Sequence, residues 1–139
     1  MVLGLFRRIV VGYDGSEHSR RALDAAVDLA KMYGAVVHVI TVIDIASLSS
    51  DPAAVGIVRE AANQISSEAS ERLSRDNVDH NVYIRQGDPG DEIIKLAEEI
   101  KADLIIVGSR GLSKLKRIFL GSVSQKVVSR SRVPVLVVK

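Results

Sequence analysis

Cysteine is missing from all 139 positions, which excludes disulfides, thiolate metal sites and cysteine nucleophiles. Aromatic side chains are scarce: three tyrosines and two phenylalanines are too few to serve as stacking platforms for a nucleic acid among the bases of the C-terminal third. No stretch approaches the roughly 18 apolar residues of a membrane span. The opening Met1-Val2-Leu3-Gly4-Leu5-Phe6-Arg7-Arg8 puts a short apolar patch ahead of its arginines, the reverse of a signal peptide, so a cytoplasmic location is expected. The three histidines, His18, His38 and His80, have no metal-ligand spacing, and no Ser/His/Asp arrangement follows from the order of residues. Gly-x4-Gly-Lys-Ser/Thr does not occur, so a P-loop is excluded.

One further absence is local. Before Leu104 the chain carries 17 acids against 11 bases, a balance of −6; from Leu104 to the end it carries eight bases and no acid, a balance of +8. The overall +2 conceals this asymmetry, which reads as an anion-binding face near the C-terminus or as a merely basic end of the fold. What is present describes an ordinary globule, 47% apolar and 26% charged, of a length that suits a single domain spanning 1–139.

Strand-like and helix-like segments alternate, the pattern of an α/β domain with a parallel sheet. An apolar run over 8–13 ends in Asp14-Gly15-Ser16, a turn that also suits a helix start. Residues 17–33 carry Ala22, Ala25, Ala26, Leu29 and Ala30 at helical spacing, and Gly34 stops them. A second strand follows over 35–42, then a looser serine-rich stretch over 43–54. A second helix then runs to about residue 77, with Val58, Ala62, Ile65, Ala69 and Leu73 on one stripe. A short third strand is centred on 82–85. Asp88-Pro89 supplies a helix cap and a first-turn proline for a third helix that buries Ile93, Ile94, Leu96, Ala97 and Ile100. Strand four covers 104–107, helix four 121–130 and strand five 133–138. His18 is expected to be solvated near the start of helix one, His38 packed within strand two, and His80 in a polar turn.

Five such units most often form a doubly wound sheet with an order such as 3-2-1-4-5 and helices on both faces. Ligands then sit where the order reverses, outside the ends of strands one and four. Asp14 follows the first of these strands. After the second comes Gly108-Ser109-Arg110-Gly111 and, later, Gly121-Ser122 opening a helix. Each glycine alone reads as a strand end or a helix start. Together with Ser122 and Ser124, and with Arg110, Lys114, Lys116 and Arg117, they shape a backbone to approach phosphates, aided by the unpaired amides of a helix N-terminus. At their upper values, three or four charge-assisted hydrogen bonds of about 1.5–3 kcal/mol each could offset an association cost at the low end of about 4–15 kcal/mol and leave micromolar binding. Asp14 either caps the following helix or accepts from a ribose hydroxyl or an adenine amine. Gly12 would let a base lie near strand one, and Val42 would read an adenine edge with its backbone.

The spacing Gly108-x2-Gly111-x9-Gly121-Ser122 after an apolar strand, with Val11-Gly12-Tyr13-Asp14-Gly15-Ser16 near the N-terminus, resembles the universal stress protein family in its ATP-binding branch, over essentially the whole chain. The resemblance implies a five-stranded 3-2-1-4-5 fold, a homodimer, and ATP held with Mg²⁺ or Mn²⁺. It places Gly12, Asp14 and Val42 around adenine and ribose. Gly108, Arg110, Gly111, Gly121, Ser122, Val123 and Ser124 would line the phosphates. The divalent ion would be held mainly by phosphates and water, with no dedicated protein metal site and no catalytic residue. Strand five, as an edge strand bearing Pro134, invites pairing with a second copy over 133–138. The expected function is a nucleotide-responsive regulatory protein with little or no turnover, read by a protein partner. A slow ATPase or nucleotidyl-transfer enzyme is the alternative. Related enzymes place their phosphate loop after strand one, however, and here the glycines follow strand four. Nucleic-acid binding through the basic third is the second alternative.

Overall fold

The computed structural model describes residues 5–44, 51–110 and 120–139. The chain alternates β1 (Arg8–Gly12), α1 (Glu17–Tyr33), β2 (Val36–Ile43), α2 (Pro52–Arg75), β3 (His80–Gln86), α3 (Pro89–Ile100), β4 (Leu104–Gly108), α4 (Ser122–Arg130) and β5 (Val135–Val138). The five strands form one sheet in the order β3-β2-β1-β4-β5, and every neighbouring pair is parallel. The expected doubly wound α/β topology is therefore the observed one.

A parallel sheet covered on both sides needs apolar residues at nearly every position of its inner strands, because successive side chains face opposite ways. Ile9, Val11, Val37, Val39, Leu104 and Ile106 face one way and meet α1 and α2 through Ala22, Ala26, Ala69 and Leu73. Val10, Ile40, Ile105 and Val107 face the other way, onto Ile93, Leu96 and Ala97 of α3 and Val127 of α4. The two cores fix the helices and so fix the loops that leave the strands.

Local chemistry sets the helix ends. The Ser16 hydroxyl accepts the Ser19 N–H and starts α1, and Gly34 ends it with φ 68°, a left-handed conformation that glycine adopts at little cost. Asp51 caps α2 and Asp88 caps α3, each followed by a proline in the first turn. In α4 the N-cap residue is Gly121, and no side chain caps the helix.

Several boundaries differ from the sequence pattern. The ladder of β1 stops at Gly12, although the Tyr13 N–H still donates to the Ile40 carbonyl at 2.9 Å. β3 is longer than its apolar centre. His80 is its first residue, not part of a turn; its Nε2 lies 2.9 Å from the Ser70 hydroxyl and its Nδ1 2.8 Å from the Val78 carbonyl. β5 begins at Val135, two residues late, because Ser131 folds 131–133 into a turn through bonds to both the N–H and the carbonyl of Val133. Among the described residues, no helix is long and apolar enough to cross a membrane.

Candidate functional site

The sheet order reverses between β1 and β4, which are neighbours with Val11 opposite Ile106. The turns leaving their C-terminal ends therefore lie side by side. Their contact is direct: Nδ1 of His18, in the first turn of α1, is 3.0 Å from Oγ of Ser109, just past β4. His18 is thus half-buried and hydrogen-bonded, not solvated as its position in the sequence suggests.

The turn after β1 is held by its own side chains. Asp14 Oδ1 accepts the Ser16 N–H at 2.9 Å, and the Asp14 N–H donates to the Ser19 hydroxyl at 3.3 Å. That hydroxyl donates to the Ser16 carbonyl at 3.0 Å, and Thr41 Oγ1 donates to the Tyr13 carbonyl at 2.9 Å. Gly15 takes φ 80°, which a side chain would strain. The capping residue is Ser16. Asp14 instead braces the turn with one carboxylate oxygen and remains half-exposed at the crevice. Behind it, the Tyr13 phenol donates to Glu68 at 2.6 Å; burial, then this carboxylate, push its pKa up to about 12. Arg20, and then Tyr13, hold the Glu68 carboxyl below its usual range.

The turn after β4 is organised around one peptide group. The Ser109 N–H donates to the Val138 carbonyl at 2.7 Å, while the Ser109 carbonyl accepts both the Gly121 N–H and, at 2.9 Å, the Ser124 hydroxyl. The Gln125 N–H opens the helical ladder on the Gly121 carbonyl. The amides of Ser122, Val123 and Ser124 are left as first-turn donors with no intrahelical acceptor and no side-chain cap. They carry the partial positive charge of the α4 N-terminus. Ser124 contributes its amide there, but its hydroxyl points back to Ser109 and Gly121 and its side chain is buried.

The two strand-end glycines have packing reasons. A Cβ on Gly108 would lie 2.7 Å from the backbone of His18, so only glycine lets α1 close on β4. A Cβ on Gly12 would lie 2.8 Å from Ile93 Cδ1, on the side facing α3. Val42 lies near the end of β2, two positions beyond Ile40, which pairs with Gly12. Arg110 is half-buried beside Ser109. Gly111 lies outside the described residues, as do Lys114, Lys116 and Arg117. The described members of the expected set thus gather at the ends of β1, β2 and β4 and at the start of α4.

Sequence reasoning missed Ser109, His18, Ser19 and Thr41. The position of Ser109 between Gly108 and Arg110 was a usable signal. The pairing of His18 with a residue 91 positions away carried none. The basic third is also less free than its composition suggests. Lys126 pairs with Asp88 at 2.8 Å and with Asp91 at 3.6 Å, and Arg130 pairs with Asp91 at 3.7 Å. Among the described residues, no three His, Asp or Glu side chains are grouped to hold a metal ion.

Fold and crevice together define a doubly wound α/β domain of the kind that receives ligands at its switch point. Comparison makes the class specific. The model of the universal stress protein family matches residues 5–139. Universal stress protein YxiE of Bacillus subtilis is 37% identical, over 97% of this chain and all of its own. The structure of MJ0577 from Methanocaldococcus jannaschii superimposes with a TM-score of 0.87 at 31% identity, covering 97% of this chain and 96% of that one. A further universal stress protein, solved in complex with cAMP, superimposes with a TM-score of 0.76 at 32% identity, covering 96% and 97%. The chain belongs to the universal stress protein family.

Proposed function

We propose that this protein binds ATP in the crevice between the exits of β1 and β4 and acts as a nucleotide-dependent switch with little or no turnover. The observation that carries the reading is the first turn of α4. Among the described helices it is the one without a side-chain cap, and it opens at the strand-order reversal. The amides of Ser122, Val123 and Ser124 would receive the phosphates, with Arg110 adding charge and Gly121 leaving room. Asp14 keeps an oxygen that a ribose hydroxyl can reach, and Val42 and Gly12 would border the adenine. The cAMP complex of a relative supports an adenine nucleotide as the ligand class.

The donor set fits a divalent ion held by the nucleotide better than one held by the protein, since among the described residues no three His, Asp or Glu side chains are grouped to hold a metal ion. Such an ion, Mg²⁺ or Mn²⁺, would neutralise phosphate charge. Little or no turnover is part of this reading, in which Asp14 gives one carboxylate oxygen to bracing its own turn and His18 gives Nδ1 to Ser109. The edge strand β5 would pair with a second copy, giving a cytoplasmic homodimer whose nucleotide state is read by a protein partner.

The test is to denature the purified protein, identify the nucleotide released, and follow phosphate production after adding fresh ATP and Mg²⁺. Released ATP with negligible turnover is expected. Rapid phosphate production would move the protein to the enzymes. Salt-sensitive oligonucleotide binding that ATP does not compete away would favour the basic surface instead.

A further inference from the structure

Ser109 joins the two halves of the crevice. Its N–H is held by Val138 of β5, and its carbonyl carries the Gly121 N–H and the Ser124 hydroxyl, the two bonds that seat the start of α4. Backbone bonds thus tie this peptide to β5 and α4, while its side chain reaches α1. There Oγ, on a residue only 2% exposed, meets His18 Nδ1 at 3.0 Å. The junction has no slack. The carbonyl carbon and Cβ of His18 lie 2.7 Å from where a Cβ on Gly108 would stand, so helix and strand end are already at closest approach.

We propose that His18 is a positioning residue for the nucleotide. Through Ser109 it sets the orientation of the peptide from which α4 hangs, and thereby the direction of the amides of Ser122 and Val123. This rests on the nucleotide reading above and extends it to a side chain that touches no ligand. Because the Ser109 carbonyl seats the phosphate-binding end only, losing the His18 bond acts on phosphates and not on the nucleoside, whose neighbours Asp14 and Val42 are held separately, Asp14 by its bond to Ser16 and Val42 by pairing with Arg85 of β3.

The experiment measures calorimetric affinities for ATP and for adenosine. The proteins are wild type, His18→Ala, His18→Asn, Ser109→Ala, the His18→Ala/Ser109→Ala pair and, as reference, Gly121→Val. Removing one buried hydrogen bond is expected to weaken ATP binding about fivefold in either alanine variant. Adenosine affinity stays within about twofold, and the double variant is no weaker than the worse single one. Asparagine places a polar atom near the Nδ1 position and restores ATP affinity to within about twofold of wild type. Equal losses for ATP and adenosine, additive losses in the double variant, or failure of asparagine to rescue would each overturn the positioning role. If His18→Ala binds ATP like wild type while Gly121→Val does not, the positioning role fails and the nucleotide site stands. If wild type binds neither ligand, the site itself is wrong and the positioning role falls with it.

Discussion

His38 shows how one residue can be legible in kind and silent in consequence. Its place in a strand at the even-numbered positions of Val10 and Ile40 marks it as packed, and it is 8% exposed, with Nδ1 2.9 Å from the Tyr83 hydroxyl. Burial, and then the charge of Arg8, lower its pKa from 6.5. The unfolded chain therefore takes up a proton near pH 6.5 before the folded one does. The stability tied to neutral His38 is complete above that pH and is lost as pH falls below it, at up to about 1.4 kcal/mol per unit. Urea denaturation of wild type and His38→Phe between pH 7 and about pH 5 checks this, a window above the range in which carboxylates titrate. The wild-type curve is expected to fall more steeply, whatever the variant's absolute stability. Parallel curves would contradict the assignment. Asp14 was legible only as a choice between a cap and a ligand. The structure replaces the cap with a brace, since Ser16 was equally well placed to cap and does so.

Elements whose stability is written in local sequence were the most legible. α1 has the expected bounds because cap, apolar stripe and stop signal agree along the chain, and α3 starts at its expected cap and proline. The sequence reads β3 short because His80, Asn81 and Gln86 carry no strand signal. Backbone pairing with β2, from Val37 opposite His80 to Ile43 opposite Gln86, imposes the extended conformation on them. The sequence reads β5 long because Val133 and Pro134 continue its apolar run; Pro134 lends its carbonyl to the Ile105 N–H, but Ser131 holds 131–133 in a turn. The missing cap on α4 is the element-scale feature with the most direct functional consequence. Gly121 has φ −70° and ψ 169°, an extended geometry that aspartate also adopts. Gly121→Asp should cap the helix and complement its dipole, raising stability by about 0.5 kcal/mol in urea denaturation. The same carboxylate would occupy the anion's place, so ATP affinity should fall at least about tenfold by calorimetry. Undiminished ATP affinity in this variant would mean that the phosphates lie elsewhere.

At the scale of the whole molecule, the alternation of strands and helices already implied the doubly wound sheet, and that topology brings Asp14 and Gly121 to one crevice from positions more than a hundred residues apart. The charge asymmetry was legible too, but not its distribution. Lys126 and Arg130 turn to the acidic start of α3, whereas Arg110 lies half-buried beside Ser109. The same topology leaves β5 at the sheet edge beyond β4, with Leu136 38% exposed. Light scattering should report twice the 15.0 kDa mass of one chain for wild type and the single mass for Leu136→Lys, which places a charge on the pairing face. A wild-type protein of single-chain mass, or a Leu136→Lys protein that stays double, would remove β5 as the dimer edge.

The most direct measurement is an amide-resolved proton–nitrogen titration with ATP and Mg²⁺. If an anionic tail rests on the uncapped start of α4, the amide protons of Ser122 and Val123 should show the largest downfield shifts, and Gly121→Asp should abolish them. ATP binding that leaves those two amides unmoved, with its shifts gathered on another face, would contradict the placement of the nucleotide.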